Sequence, residues 1–236
     1  MPNLIPISGD KKPLATGDGS LSFYNLTYKQ AYHAKSIGAF TESLYKFVVP
    51  SDIIALLRQG HVRLLDICLG IGANLAVTIH EIEKADIPPE HRLQIISLEK
   101  DHDLVRLIQK TETFWPANGY RILRKLLYEG TYGRYGLDVM YGDAVNSLDR
   151  LSAPFDVIYF DPFSKRKNAE MWTEEVFRNL FRIMSYRGRL VTYSCAKGVR
   201  EDMRRAGFAV SDIPRLPEGF QSGTVAVKKL TGLHTG

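Results

Sequence analysis

One run constrains this chain more than any other: an apolar segment that passes through a glycine turn into a helix, Leu64-Leu65-Asp66-Ile67-Cys68-Leu69-Gly70-Ile71-Gly72-Ala73-Asn74. A short apolar stretch closed by glycines reads as a buried strand, and residues 73–84 continue with helical spacing. Strand, tight turn and helix in that order open a parallel α/β layer, because a parallel neighbour is reached only by a crossover. The rest of the chain keeps the alternation. Further strands are expected at 93–99, 137–141, 155–160 and 188–193, and helices at 101–113 and 173–184. Two closing strands, 208–213 and 223–228, are separated by a short Pro- and Gly-bearing loop, too short for a crossover. They are expected to pair antiparallel. The fold class is therefore α/β and Rossmann-like, a mostly parallel sheet with a C-terminal antiparallel hairpin.

Three stretches fall outside this alternation. Residues 1–60 start polar and then become rich in aromatics and helix formers over 24–47, which reads as an N-terminal extension packing on or near the ligand site. The main domain takes 61–230, with an insertion at 113–136 that carries a helix at 120–128, and 231–236 is a tail. The 236 residues hold no run approaching the roughly 20 apolar residues of a membrane span. Nor does a charged segment followed by an apolar one mark a secretory signal at the start, so a cytoplasmic protein is expected. Cys68 and Cys195 stand alone, without metal-ligand spacing, and no metal is expected. A net charge of +5 permits a polyanionic partner. Lys165-Arg166-Lys167 and the arginines at 178, 182, 187, 189, 200, 204 and 205 crowd one third of the chain, as a nucleic-acid-facing surface or a solvated face.

In a doubly wound sheet, ligands lie at the carboxyl ends of the strands. Gly70 and Gly72 let the backbone turn sharply and approach a ligand closely. Position 75 is Leu where a pyrophosphate-binding turn has a third glycine, which suits a ligand without phosphate, such as S-adenosylmethionine. Glu99 ends the second strand, where a carboxylate can accept from both ribose hydroxyls. Asp143, followed by Ala144, comes after the third, placed to accept from an adenine amino group. Asp66, Glu99 and Asp143 thus stand in register after three successive strands.

Strand four ends Tyr159-Phe160-Asp161-Pro162-Phe163-Ser164. This is where a methyl acceptor would meet the sulfonium. A nitrogen nucleophile needs its N–H groups held and its lone pair aligned, which a carboxylate and a proline-fixed backbone supply, while an aromatic face braces the acceptor. An alkyl amine, protonated at neutral pH, must first lose a proton, and Asp161 is the candidate acceptor. The same carboxylate is also compatible with binding the cofactor's amino group or capping the next helix.

The run from Asp161 through Asn168, Glu170, Met171 and Trp172 to Thr173 resembles the Phe-Ser/Ala-Pro-x-Lys-Asn-Pro-Glu-x-Trp segment of the MnmC-like methyltransferases. Three more stretches are similar to that family: Asp18-Gly19-Ser20 with residues 32–42, the glycine turn with Asn74, and residues 190–200 with Ala206-Gly207-Phe208. The resemblance covers about residues 13–228. It implies a class I S-adenosylmethionine-dependent methyltransferase that N-methylates 5-aminomethyl-(2-thio)uridine at the tRNA wobble position, leaving S-adenosylhomocysteine. It further implies tRNA as partner, a stand-alone form without the FAD oxidase domain, and hence no FAD. Tyr32 and Glu42 would close over the cofactor, and Lys165, Arg166, Lys167 and Arg200 would face RNA. Two segments depart from the family: Pro162-Phe163-Ser164-Lys165 replaces Gly-Phe-Ser/Ala-Pro, and Phe220-Gln221-Ser222-Gly223-Thr224 replaces a basic segment before the last strand.

Other functions leave other marks. An N-methyltransferase acting on a base amino group of rRNA or DNA would also use Asp161-Pro162-Phe163. An aminopropyltransferase would carry a Gly-Gly-Gly-Asp-Gly turn, absent here. An RNA-binding scaffold would have no need of Asp66, Glu99 and Asp143 together. A nicotinamide oxidoreductase is disfavoured by Leu75 and by the closing hairpin.

Overall fold

The structure, a computed structural model, describes residues 9–152, 154–214 and 218–229. The expected tail at 231–236 lies outside them. An eight-stranded sheet carries the fold, in the order β10-β11-β9-β8-β4-β5-β7-β6. Its strands are β4 (Val62–Ile67), β5 (Leu93–Glu99), β6 (Thr131–Tyr132), β7 (Tyr135–Tyr141), β8 (Phe155–Phe160), β9 (Met184–Thr192), β10 (Ala209–Asp212) and β11 (Thr224–Val227). The pairs β4–β5, β5–β7, β4–β8 and β8–β9 are parallel, while β11 runs antiparallel to both β9 and β10. The mostly parallel sheet with an antiparallel end is therefore present, with the last strand inserted between β9 and β10.

Alternation along the strands divides the core in two, since successive side chains face opposite sides of a sheet. Leu64 of β4 and Val157 of β8 join one cluster, with Leu75 and Ala76 from α4 (Ala73–Lys84) and Leu123 from α6 (Ala117–Glu129). Leu65 and Ile158 join the other, with Phe177 and Leu180 from α8 (Glu174–Ile183) and Met203 from α9 (Lys197–Arg205). Two short helices follow strand ends: α5 (His102–Lys110) after β5 and α7 (Ala144–Leu148) after β7. The chain leaves β4 toward β5 and β7, then returns to β8 and β9 on the other side. Its topological switch point thus lies between β4 and β8. No helix among the described residues is long and apolar enough to cross a membrane.

The N-terminal stretch differs from its helical expectation. It forms a three-stranded antiparallel sheet, β1 (Lys11–Ala15), β2 (Leu21–Asn25) and β3 (Gln30–Ala31), before any helix begins. Then come α1 (Ala39–Ser43), one π turn at Leu44–Val48, α2 (Val49–Ser51) and α3 (Ile53–Gln59). In β2, Phe23 is fully buried against the main core, which explains why an aromatic-rich stretch suits a strand as well as a helix. Asp18 fastens this sheet to α1: its carboxylate accepts from the Thr41 N–H (2.9 Å) and Thr41 Oγ1 (2.8 Å) as well as from Ser20. Helix α9 was also not expected. It makes the crossover from β9 to β10 and carries the arginines at 200, 204 and 205.

Candidate active site

The carboxyl ends of β4, β5, β7 and β8 open into one cavity of about 460 Å³, within the roughly 300–1,000 Å³ of small-molecule sites. The turn after β4 shapes its base. Cys68, Gly70 and Gly72 take φ of 71°, 56° and 74°, a left-handed conformation that an L residue such as Cys68 adopts at a cost of about 1–2 kcal/mol. The two glycines do different work. Gly70 lines the cavity and donates its N–H to Glu99 Oε2 at 2.9 Å. A Cβ at Gly72 would lie 2.7 Å from Leu123 Cδ2 and 3.0 Å from Ile108 Cδ1, and Gly72 is not part of the cavity wall. Gly72 lets α4 pack closely and does not take the expected ligand-facing place.

The three acids in register also separate. Asp66 is sealed in the sheet, accepts from Ser97 Oγ at 2.7 Å and does not reach the cavity. Burial pushes its carboxyl up to about 7, against that hydrogen bond. The expectation that Asp66 contacts the cofactor is corrected accordingly: it supports the strand beneath the turn. Glu99 does line the cavity, and three backbone N–H groups converge on its carboxylate, from Gly70, Lys100 and Asp101. Burial still holds its pKa above the ordinary glutamate value. Asp143 is exposed on the cavity rim beside Ala144 and caps α7, accepting from the Asn146 N–H at 3.2 Å.

Across the switch point, Asp161 follows β8 and faces Asn74, the second residue of α4. Asn74 Nδ2 donates to Asp161 Oδ2 at 2.8 Å, while Asn74 Oδ1 is buried with no hydrogen-bond partner among the described residues. Burial pushes the Asp161 carboxyl well above the usual carboxylate range, and the negative charge of Glu42 adds to it. The loop after Asp161 is held from three sides. Tyr193 Oη donates to the Pro162 carbonyl (3.0 Å), Trp172 Nε1 to the Phe163 carbonyl (2.7 Å), and Ser164 donates its N–H and Oγ to Gln30 Oε1 (3.2 and 2.9 Å). Trp172 is completely buried, so it acts on the site only through the backbone it fixes.

The N-terminal sheet supplies the opposite wall. Tyr32 and Tyr28 place their ring centroids 5.2 and 4.6 Å from that of Phe163, and Tyr32 Oη accepts from Asn25 Nδ2 at 3.1 Å. Glu42 lines the cavity from α1, accepts from the Ala34 N–H (2.8 Å) and stands 3.6 Å from His33 Nδ1. Burial alone would raise its pKa, but His33 and the Ala34 N–H outweigh it and hold the carboxyl low. Tyr28, Gln30, His33, Lys100, Tyr193 and Gln221, which sequence reasoning did not select, all line the same cavity. Their common signal is weak: aromatic or polar residues close to strand ends, with nothing in their spacing to join positions 28 and 193.

The four residues expected to face RNA differ in how they are held. Arg200 is fastened within the fold, donating through Nε to Thr224 Oγ1 (2.9 Å) and through Nη2 to the Gly223 carbonyl (2.8 Å) and Asp212 (2.6 Å). Its guanidinium thus braces α9 against β11. Lys165 is ion-paired with Asp202 at 2.9 Å. Arg166 is exposed and Lys167 half-exposed, neither with an acidic partner among the described residues.

Residues 102–228 match a family model described as S-adenosyl-L-methionine-dependent methyltransferase. The crystal structure of MnmC2 from Aquifex aeolicus is similar to this chain with a TM-score of 0.82 and 30% identity, over 96% of this chain and 72% of that one. The tRNA 5-methylaminomethyl-2-thiouridine biosynthesis bifunctional protein MnmC of Cupriavidus necator is 29% identical over 207 residues, 81% of this chain and 31% of that protein. An uncharacterized protein of Methanocaldococcus jannaschii is 25% identical over 205 residues, 84% of this chain and 54% of its own length. The chain thus spans about half of one curated relative and about a third of the other. Matched over more than half its length, with its cavity at the switch point of a mostly parallel sheet, the chain belongs to the MnmC-like family of S-adenosyl-L-methionine-dependent methyltransferases.

Proposed function

We propose that this chain N-methylates the primary amine of 5-aminomethyl-(2-thio)uridine at the wobble position of tRNA, giving 5-methylaminomethyl-(2-thio)uridine. The observation that carries the reading is the Asp161–Asn74 pair, set beside Phe163 in a cavity that Glu42 and Glu99 also line. The printed names of the MnmC relatives favour this acceptor over a base amino group.

The donor set fits S-adenosylmethionine. That molecule carries an ammonium, a carboxylate and a sulfonium. The cavity offers acidic side chains and one buried, unpartnered acceptor, Asn74 Oδ1. Glu99 would take the ribose hydroxyls, Asp143 and Ala144 the adenine, and Asn74, under Tyr32 and Glu42, the amino-acid end. When bound, S-adenosylmethionine supplies an electrophilic methyl group. The remaining work falls to the chain itself. Asp161 holds an N–H of the acceptor amine and receives the proton that an alkylammonium must lose. Its raised proton affinity is in the direction a base needs. Phe163, braced by Tyr28 and Tyr32, gives an aromatic wall to the ring that bears the amine, and Trp172, Tyr193 and Gln30 keep that wall fixed. Arg166 and Lys167 lie on the loop after β8, within reach of an RNA backbone approaching the mouth.

The test is methyl transfer from labelled cofactor to tRNA isolated from a strain lacking the wobble methyl group, followed by nucleoside analysis. Label is expected in 5-methylaminomethyl-2-thiouridine. Label in a methylated base amino group, or none in tRNA, would overturn the reading.

A further inference from the structure

Lys46 is a buried lysine to which the reaction assigns no part. It sits in the single π turn, Leu44–Val48, one turn beyond Glu42, with only 4% of its surface exposed. An ammonium so placed must spend its N–H groups on protein acceptors. Lys46 Nζ donates to the backbone carbonyls of Gln221 and Ser222, the latter at 3.1 Å. Beside it, the Tyr45 ring meets Phe220 edge-on at 5.8 Å. The segment grasped in this way, Phe220-Gln221-Ser222, leads into β11.

The far end of the same segment is equally fixed. Ser222 Oγ donates to Asp212 Oδ1 at 2.7 Å, and Arg200 holds the Gly223 carbonyl. Gly223 itself is pressed so closely that a Cβ would lie 2.6 Å from the Thr192 carbonyl oxygen. Between these anchors Gln221 has its carbonyl tied to Lys46 and is one of the residues that line the cavity. Topology places that wall. Glu99 and Asp143 belong to the β4-β5-β7 half of the sheet, whereas Gln221 leads into β11, beyond β8 and β9, on the half that Asp161 and Tyr193 share.

We propose that Gln221 is a specificity-determining contact to the methyl acceptor, and that Lys46 is the positioning residue that holds it in the cavity wall. The inference rests on the functional reading above. The Gln221 carboxamide can donate to and accept from the edge of a pyrimidine or the amine beside it. Lys46 acts only through the backbone of residues 221 and 222.

The experiment compares the wild-type chain with Gln221→Ala, Lys46→Met, Lys46→Arg and the double variant, on the same tRNA lacking the wobble methyl group. Readouts are KM for tRNA, kcat, cofactor Kd by calorimetry and Tm. Gln221→Ala is expected to raise KM by about three- to tenfold, the loss of one hydrogen bond, with cofactor Kd unchanged. Lys46→Met should reproduce that rise, the double variant should be no worse than either, and Lys46→Arg should recover most of it. An unchanged KM in Gln221→Ala overturns the proposal, and because Gln221 is exposed this variant remains informative if Lys46→Met fails to fold. A Lys46→Met chain with lowered Tm but wild-type KM overturns the positioning role. A wild-type chain that leaves this tRNA unmethylated overturns the functional reading itself, whereas an active wild type with unaffected variants overturns this inference alone.

Discussion

At the scale of single residues, Asp161 and Glu99 hold protons more tightly than ordinary carboxyls because they are withdrawn from water in the wall of one cavity. Removing the Asp161 carboxylate should remove turnover more than binding. In Asp161→Ala, kcat is expected to fall by about a hundredfold or more, the lower range for a positioned base, with cofactor Kd within a few-fold of wild type. Equal losses in both would assign Asp161 to the cofactor. The raised pKa values carry a second expectation. A cationic ligand favours the ionised carboxylates, so binding pulls the pKa values down and releases protons. Cofactor affinity should therefore rise with pH through the raised carboxyl values and weaken as pH falls below them. Calorimetry in two buffers of different ionisation enthalpy measures the release, and equal apparent enthalpies would show that neither group is linked to binding.

At the scale of elements, helix α6 meets α4 at Gly119, where a Cβ would fall 1.9 Å from the Ala76 carbonyl oxygen. Gly119→Ala must push the two helices apart. It is expected to cost about 1–3 kcal/mol, typical of overpacking, read from the urea midpoint; an unshifted midpoint would mean that α6 can slide without loss. The elements that carry the cofactor turn were legible in the sequence because each is decided locally. Helix α4 falls on residues 73–84 as its apolar spacing predicts, and β4, β5 and β8 are short apolar runs closed by turns. Two elements were hidden for physical reasons. The β1–β2 pair has five-residue strands, one of them beginning Lys11-Lys12-Pro13, so neither shows a clear alternation without its partner. Helix α9 is charged at six of its nine residues and buries only Val199, Asp202 and Met203. The same distinction runs through the site. Glu99, Asp143 and Asp161 end strands and could be found by counting strands, whereas Tyr28, His33 and Gln221 reach the cavity only because distant segments pack together.

At the scale of the whole molecule, five of the ten cations singled out in one third of the chain are ion-paired. Arg178 and Arg205 pair with Glu174, Arg189 with Asp52 and Arg200 with Asp212. What remains for a polyanion on the loop after β8 is Arg166 and Lys167, with Lys165 held by Asp202. Replacing Arg166 and Lys167 by Gln is expected to weaken tRNA binding and to lower the slope of log Kd against log salt by about 1.5, near 0.7–0.9 per lost phosphate contact. Filter binding over a salt series checks this, and an unchanged slope would show that the loop faces solvent in the complex.

The walls of the cavity are drawn from both ends of the described chain. Gln30 grips Ser164 across 134 positions, and Lys46 grips Gln221 across 175. Contacts of such separation form late, because the intervening chain must be closed before they contribute. During synthesis, the N-terminal sheet emerges with its aromatic face turned toward partners not yet made. The cavity wall is therefore closed only once the segment that leads into β11 has packed against Lys46.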